Sequence, residues 1–122
     1  MKGIGVDLIK IRRIQDLCAR RGEKALAKIF TSAEINYAKT KKLWHQHLAA
    51  RFAAKEAVYK AFGGGKELVN WKEIEIINLK NGRPQVTLYG AAKERARALG
   101  VKKIEVSLTH SEDNAVGVAI LL

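Results

Sequence analysis

The sequence has one cysteine, Cys18, one proline, Pro84, and only two Trp, three Tyr and three Phe in 122 residues. A single thiol excludes an intrachain disulfide framework and any all-cysteine zinc site, and it points to a reducing compartment, so the cytoplasm is the expected setting. One proline beside ten glycines excludes a collagen-like repeat, and 48% apolar with 29% charged residues excludes disorder. The few aromatics are not arranged as stacking pairs on adjacent strands, which argues against a single-strand nucleic-acid platform. No apolar run reaches the roughly eighteen residues of a membrane span. The first apolar stretch, MKGIGVDLIK, is broken by Asp7 and lacks a small-residue cleavage pattern, so neither secretion nor a membrane partner is expected. Acidic residues are scarce too: twelve Asp and Glu face twenty-three Lys and Arg, a net charge of +11.

That charge concentrates anions at the surface. Nucleic acid, an acidic protein and a multiply phosphorylated small molecule all satisfy it, so charge alone does not choose among them. The length fits one domain, 1–122, with one buried core.

Periodicity predicts the elements. Residues 2–9 read as a short buried strand, with Ile4, Val6 and Leu8 on its apolar face and Gly3, Gly5 and Asp7 on the other. Ile11, Ile14, Leu17 and Cys18 form the apolar stripe of a helix that Gly22 can end, and Cys18 reads there as a small core residue. The other flank is basic. Thr31 and Glu34 have the spacing of a capping box. Residues 43–62, rich in Ala and without Gly or Pro, predict a long helix with an apolar stripe of Leu48, Phe52, Tyr59 and Phe62. Beside it, Ala49, Ala53, Ala57 and Ala61 form a stripe small enough to admit another backbone.

Gly63, Gly64 and Gly65 stop that helix. A strand over 71–79 then meets Asn81-Gly82, expected as the positive-φ pair of a tight hairpin turn, and returns through Val86 and Leu88. Residues 90–99 read as a helix, Ile104, Val106 and Leu108 alternate on a further strand, the turn HSEDN at 110–114 follows, and 115–122 return as the last strand. Strands joined by tight turns, mixed with helices, predict an α+β fold with a mainly antiparallel sheet packed against the long helix.

Glu56 falls on or beside the apolar stripe of the long helix, where a carboxylate needs a partner. Lys60, four residues on, offers a helical ion pair; a metal or phosphate site is the other reading. Asp7 is either a capping residue for the helix that follows or part of such a site. Gly63-Gly64-Gly65-Lys66 is not a phosphate loop of the Walker kind, because Lys60 and Glu67 stand where Gly and Ser or Thr are needed. An anion near this helix C-terminus needs help from Lys60 and Lys66, since the dipole there is negative. His45 and His47, two apart on a helix, point to different sides and read as surface residues. His110 ends a strand whose exposed side carries Ser107 and Thr109.

Three segments together, GIGVDLIKIRRI at 3–14, RFAAKEAVYKAFGGGKE at 51–67 and VSLTHSEDNAVGVAI at 106–120, resemble the small bacterial holo-acyl carrier protein synthases of the 4′-phosphopantetheinyl transferase superfamily. The order, spacing and total length fit from end to end. One departure is Gly64, where the family usually has Thr between two glycines, so a hydroxyl is missing while the loop's backbone is kept.

The resemblance implies Mg²⁺-dependent transfer of the phosphopantetheine arm of coenzyme A to a serine of apo-acyl carrier protein, releasing adenosine 3′,5′-bisphosphate. By motif position, Asp7 and Glu56 would be the metal carboxylates and Lys60 would face the diphosphate beside Gly63 and Gly65. His110, with Ser107, Thr109 and Arg51, would lie by the nucleotide end of coenzyme A. The basic flank of the first helix, Arg12, Arg13, Arg20, Arg21 and Lys24, would dock the acidic carrier protein. A homotrimer with active sites at its subunit interfaces is implied as well. The competing class is a basic nucleic-acid-binding module, which lacks a recognition motif here; no nucleic-acid partner is expected.

Overall fold

The computed structural model describes residues 1–65 and 70–122. Among the described residues, five strands and four α-helices run in the order β1 (Gly3–Lys10), α1 (Arg12–Arg21), α2 (Ser32–Lys39), α3 (Trp44–Ala61), β2 (Ile74–Asn78), β3 (Pro84–Leu88), α4 (Gly90–Ala98), β4 (Ile104–His110) and β5 (Asn114–Leu121), with short 3₁₀ helices at Glu23–Lys28 and Trp71–Glu73. One sheet has the order β1-β5-β4 and the other pairs β2 with β3, all antiparallel. This is the expected α+β arrangement, with the three-stranded sheet lying on α3.

Helix α3 runs for 18 residues and is buried on most sides. Its first half packs with Ile9, Ile11, Ile14, Leu26 and Phe30, its second half with Ile74, Ile76, Ala92, Ala96 and Leu121. Gly63 and Gly64 then take positive φ (86° and 77°), a conformation that ends the helix at little cost only for glycine. At α2 both bonds of the predicted capping box form: Thr31 Oγ1 accepts from the Glu34 amide at 3.3 Å, and Glu34 Oε1 accepts from the Thr31 amide at 2.8 Å.

The alternation along β1 is as expected, but its direction is reversed. Gly3, Gly5 and Asp7 face α3, whereas Ile4, Val6 and Leu8 are 59%, 59% and 64% exposed. The reason lies in the alanine stripe. A Cβ at Gly3 or Gly5 would collide with the carbonyls of Ala61 and Ala57, and one at Gly117 of β5 would meet the Ala53–Ala54 backbone. Only the small face of the strand lets the two backbones close up. Its apolar face, with Val116, Val118 and Ile120 directly across on β5, lies on the side of the sheet away from α3.

Two smaller expectations are also corrected. The segment 71–79 begins as a 3₁₀ turn, with the Asn70 side chain accepting from the Lys72 amide, before β2 starts at Ile74. In the hairpin only Gly82 has positive φ (86°), and its amide donates to the Leu79 carbonyl, so the connection is a longer loop than a two-residue turn.

Candidate active site

Facing the helix puts Asp7 within reach of two side chains one turn apart on α3. Lys60 Nζ donates to Asp7 Oδ1 at 2.7 Å and lies 3.4 Å from the Val6 carbonyl. The ion pair expected within the helix between Glu56 and Lys60 is replaced by this cross-link from helix to strand. Glu56, its side chain 18% exposed, is approached by Arg13 Nη1 at 3.9 Å, and the Arg13 guanidinium also sits 5.3 Å from the Phe52 ring centre.

Burial pushes Glu56 up to about 7, helped by a hydrogen bond to Asp7 and by the Asp7 charge, while Arg13 and Lys60 pull the other way. The same Asp7 carboxylate raises Lys60 above the ordinary lysine value. Asp7 Oδ2 is buried and has no hydrogen-bond donor. Two adjacent carboxylates, one with a buried oxygen that no N–H reaches, are a donor set that suits a hard divalent cation. Among the described residues no third His, Cys, Asp or Glu joins them.

Gly63, Gly64 and Gly65 follow Lys60 after Ala61 and Phe62, with Gly64 against the Tyr59 hydroxyl. Lys66 lies outside the described residues. Arg12, Arg13, Arg20, Arg21 and Lys24 are all exposed. Between Arg13 and Arg20 a cleft of about 230 Å³ has Ile14, Leu17, Ile29 and Phe52 in its walls, so the basic flank borders an apolar floor next to Glu56.

The nucleotide-end residues do not gather within one chain. Ser107 and Thr109 lie on the sheet face away from α3, opposite Val118 and Val116. His110 lies on the other face by the period of two, its ring 5.4 Å from that of His47. Arg51 lies inside the chain. It is 2% exposed, donates to the His47 carbonyl at 3.2 Å and to Asn78 Oδ1, and stacks 4.6 Å from the Tyr37 ring centre. These contacts tie α3 to α2 and β2, while the buried Arg51 Nε has no hydrogen-bond partner.

Lys55 went unread in the sequence. Fully buried, it pairs with Glu34 at 2.8 Å and donates to the carbonyls of Trp71 (2.8 Å) and Ile74 (2.7 Å). The Glu34 carboxylate also accepts from the Ile76 amide at 2.7 Å. The signal was available: Lys55 is four residues after Arg51, on a helix otherwise rich in alanine, where a charge inside demands a partner.

The sequence pattern of the 4′-phosphopantetheinyl transferase superfamily matches residues 3–119. The chain belongs to this superfamily. Among 4′-phosphopantetheinyl transferases it is 44% identical to a holo-[acyl-carrier-protein] synthase of Solibacter usitatus over 118 residues, 96% of this chain and 93% of that one. The crystal structure of the Neisseria meningitidis holo-[acyl-carrier-protein] synthase superposes with a TM-score of 0.89 at 27% identity, covering 100% of this chain and 98% of the other. That of the Helicobacter pylori synthase in complex with coenzyme A gives 0.84 at 30% identity, covering 98% and 99%. The resemblance carried by the three sequence segments is borne out, and the chain is a transferase of this superfamily.

Proposed function

We infer that this chain transfers the 4′-phosphopantetheine group of coenzyme A to a serine of apo-acyl carrier protein, giving holo-acyl carrier protein and adenosine 3′,5′-bisphosphate, with Mg²⁺ held by Asp7 and Glu56. Residues 1–122 act as one domain in this reading, and the setting is the cytoplasm, in keeping with a lone cysteine. The observation that carries the metal assignment is the buried Asp7 Oδ2 without a donor, beside a Glu56 that holds its proton to about 7.

Phosphoryl transfer asks the protein mainly for alignment and for charge on the transferred group's oxygens. A bound divalent cation supplies part of that charge. Lys60, anchored on Asp7 but 54% exposed along its side chain, can turn its remaining N–H donors to the diphosphate. Gly63 and Gly65, without side chains, let backbone approach the same group. Arg12, Arg13, Arg20, Arg21 and Lys24 steer and seat an acidic carrier protein, and the apolar cleft beneath Arg13 and Arg20 gives its helix a dry contact.

The sheet face of Ile4, Val6, Leu8, Val116, Val118 and Ile120 supports assembly of three copies, because so continuous an apolar patch is costly to leave in water. Ser107 and Thr109 share that face, and in this reading the His110 end of β4 of one copy lies by Asp7 and Glu56 of a neighbour. Coenzyme A then lies across a subunit boundary.

The test is mass spectrometry of apo-acyl carrier protein after incubation with this protein, coenzyme A and Mg²⁺. The expected result is a mass gain of one phosphopantetheine arm, abolished by chelator and restored by added Mg²⁺. No gain in mass refutes the activity, and a gain unaffected by chelator refutes the metal.

A further inference from the structure

His47 and His110 come from distant parts of the chain, and their rings meet edge to face, 5.4 Å between centres at an interplanar angle of 66°. His110 is exposed at the last position of β4, and among the described residues no hydrogen bond or ion pair holds its ring. An exposed imidazole with no anchor samples several rotamers, and ordering it costs binding energy when a ligand arrives.

His47 is better fixed. It stands in the first turns of α3, half-buried rather than at the open surface its sequence spacing suggested. Its carbonyl accepts from Arg51, which is itself buried and bonded to Asn78. Desolvation, and then the charges of His110, Arg51 and Lys41, favour its neutral form. A neutral ring adds no charge of its own beside His110.

We propose that His47 is a positioning residue, whose ring holds the His110 imidazole in the orientation that meets the nucleotide end of coenzyme A. This rests on the reading of His110 as a coenzyme A contact. His47 acts through shape, so another flat ring at this position does the same work, and its effect disappears once His110 is gone.

The experiment is calorimetric titration of coenzyme A into the full chain in Mg²⁺ buffer, for the parent protein, His47→Ala, His47→Phe, His110→Ala and the His47→Ala/His110→Ala pair. His47→Ala is expected to weaken binding by about threefold to tenfold, the size of a lost aromatic edge contact. His47→Phe is expected to bind within about twofold of the parent, and the double variant no more weakly than His110→Ala alone. The proposal is overturned if His47→Ala binds normally, if His47→Phe is as weak as His47→Ala, or if the two alanine losses multiply in the double variant. Should His47→Ala lower the melting temperature, the phenylalanine variant carries the test. Unchanged affinity in His110→Ala instead overturns the coenzyme A reading of His110 itself. Normal binding in His47→Ala beside weak binding in His110→Ala removes this inference alone.

Discussion

Lys55 and Glu56 are consecutive on α3, yet the charged clusters they belong to are built on opposite terms. Around Lys55 the donors and acceptors are matched: one carboxylate of Glu34 and two backbone carbonyls surround an ammonium with no exposure. Around Glu56 they are not: two carboxylates, one buried oxygen without a donor, and cations at the rim in Lys60 and Arg13. The first cluster is complete without a ligand and knits α2, α3 and the Trp71–Ile74 segment together. The second is short of positive charge at its centre, so it gains most when a cation arrives. Completeness, more than burial, separates the charges that hold this fold from those of the candidate site.

The contrast is broken most severely at Lys55. Lys55→Met leaves the Glu34 carboxylate buried and unpaired, and urea unfolding is expected to register a loss of about 3–5 kcal/mol. Asp7→Ala should do the reverse, with transfer measured by mass spectrometry falling on the order of 10²- to 10³-fold, ~3–4 kcal/mol of barrier. Its melting temperature should stay within a few degrees of the parent. A collapse of stability in Asp7→Ala would mean that the two clusters are alike.

Protonation sharpens the comparison further. Glu56 is held near 7 in the folded chain against 4.5 for an unperturbed glutamate, so the folded state keeps a proton that the unfolded state releases between those values. The metal-free protein therefore loses stability as pH rises from 4.5 to 7. Glu56→Gln should remove that slope, gaining about 1–2 kcal/mol at pH 8 after screening by solvent and Arg13, and nothing at pH 4. Added Mg²⁺ should raise the parent's melting temperature more at pH 8 than at pH 5.5. Smallest, Arg13→Glu is expected to weaken carrier-protein binding by about tenfold, near 1.4 kcal/mol, while coenzyme A binding changes far less. Equal losses for both partners would mark a folding defect.

Much of the fold was legible because its signals are local. The capping box at Thr31, the long helix ending at the glycine run and the alternation in the last two strands each depend on a few neighbouring residues. The candidate site was legible through the motif spacing of Asp7, Glu56 and Lys60. The contact that joins Lys60 to Asp7 was not, because helix propensity favours the partner nearest in sequence. The faces of β1 were assigned the wrong way round for a physical reason as well. Hydrophobic alternation says which residues belong together, but the small-residue stripe on α3 decides which set turns inward. Lys55 escaped notice, and the contacts of Arg51 with Asn78 and of His47 with His110 were not foreseen, because those partners lie 16 or more residues away.

At Gly3, Gly5 and Gly117 the sheet rests on the helix backbone with no side chain between them. The separation of Asp7 from Glu56 is thus set by hard contact, like parts bolted without a washer, and has no soft layer through which to drift. Gentle heating that loosens the periphery should leave the two acids in register, and their geometry should fail only when strand and helix come apart. Loss of metal affinity and loss of structure should then share one melting curve.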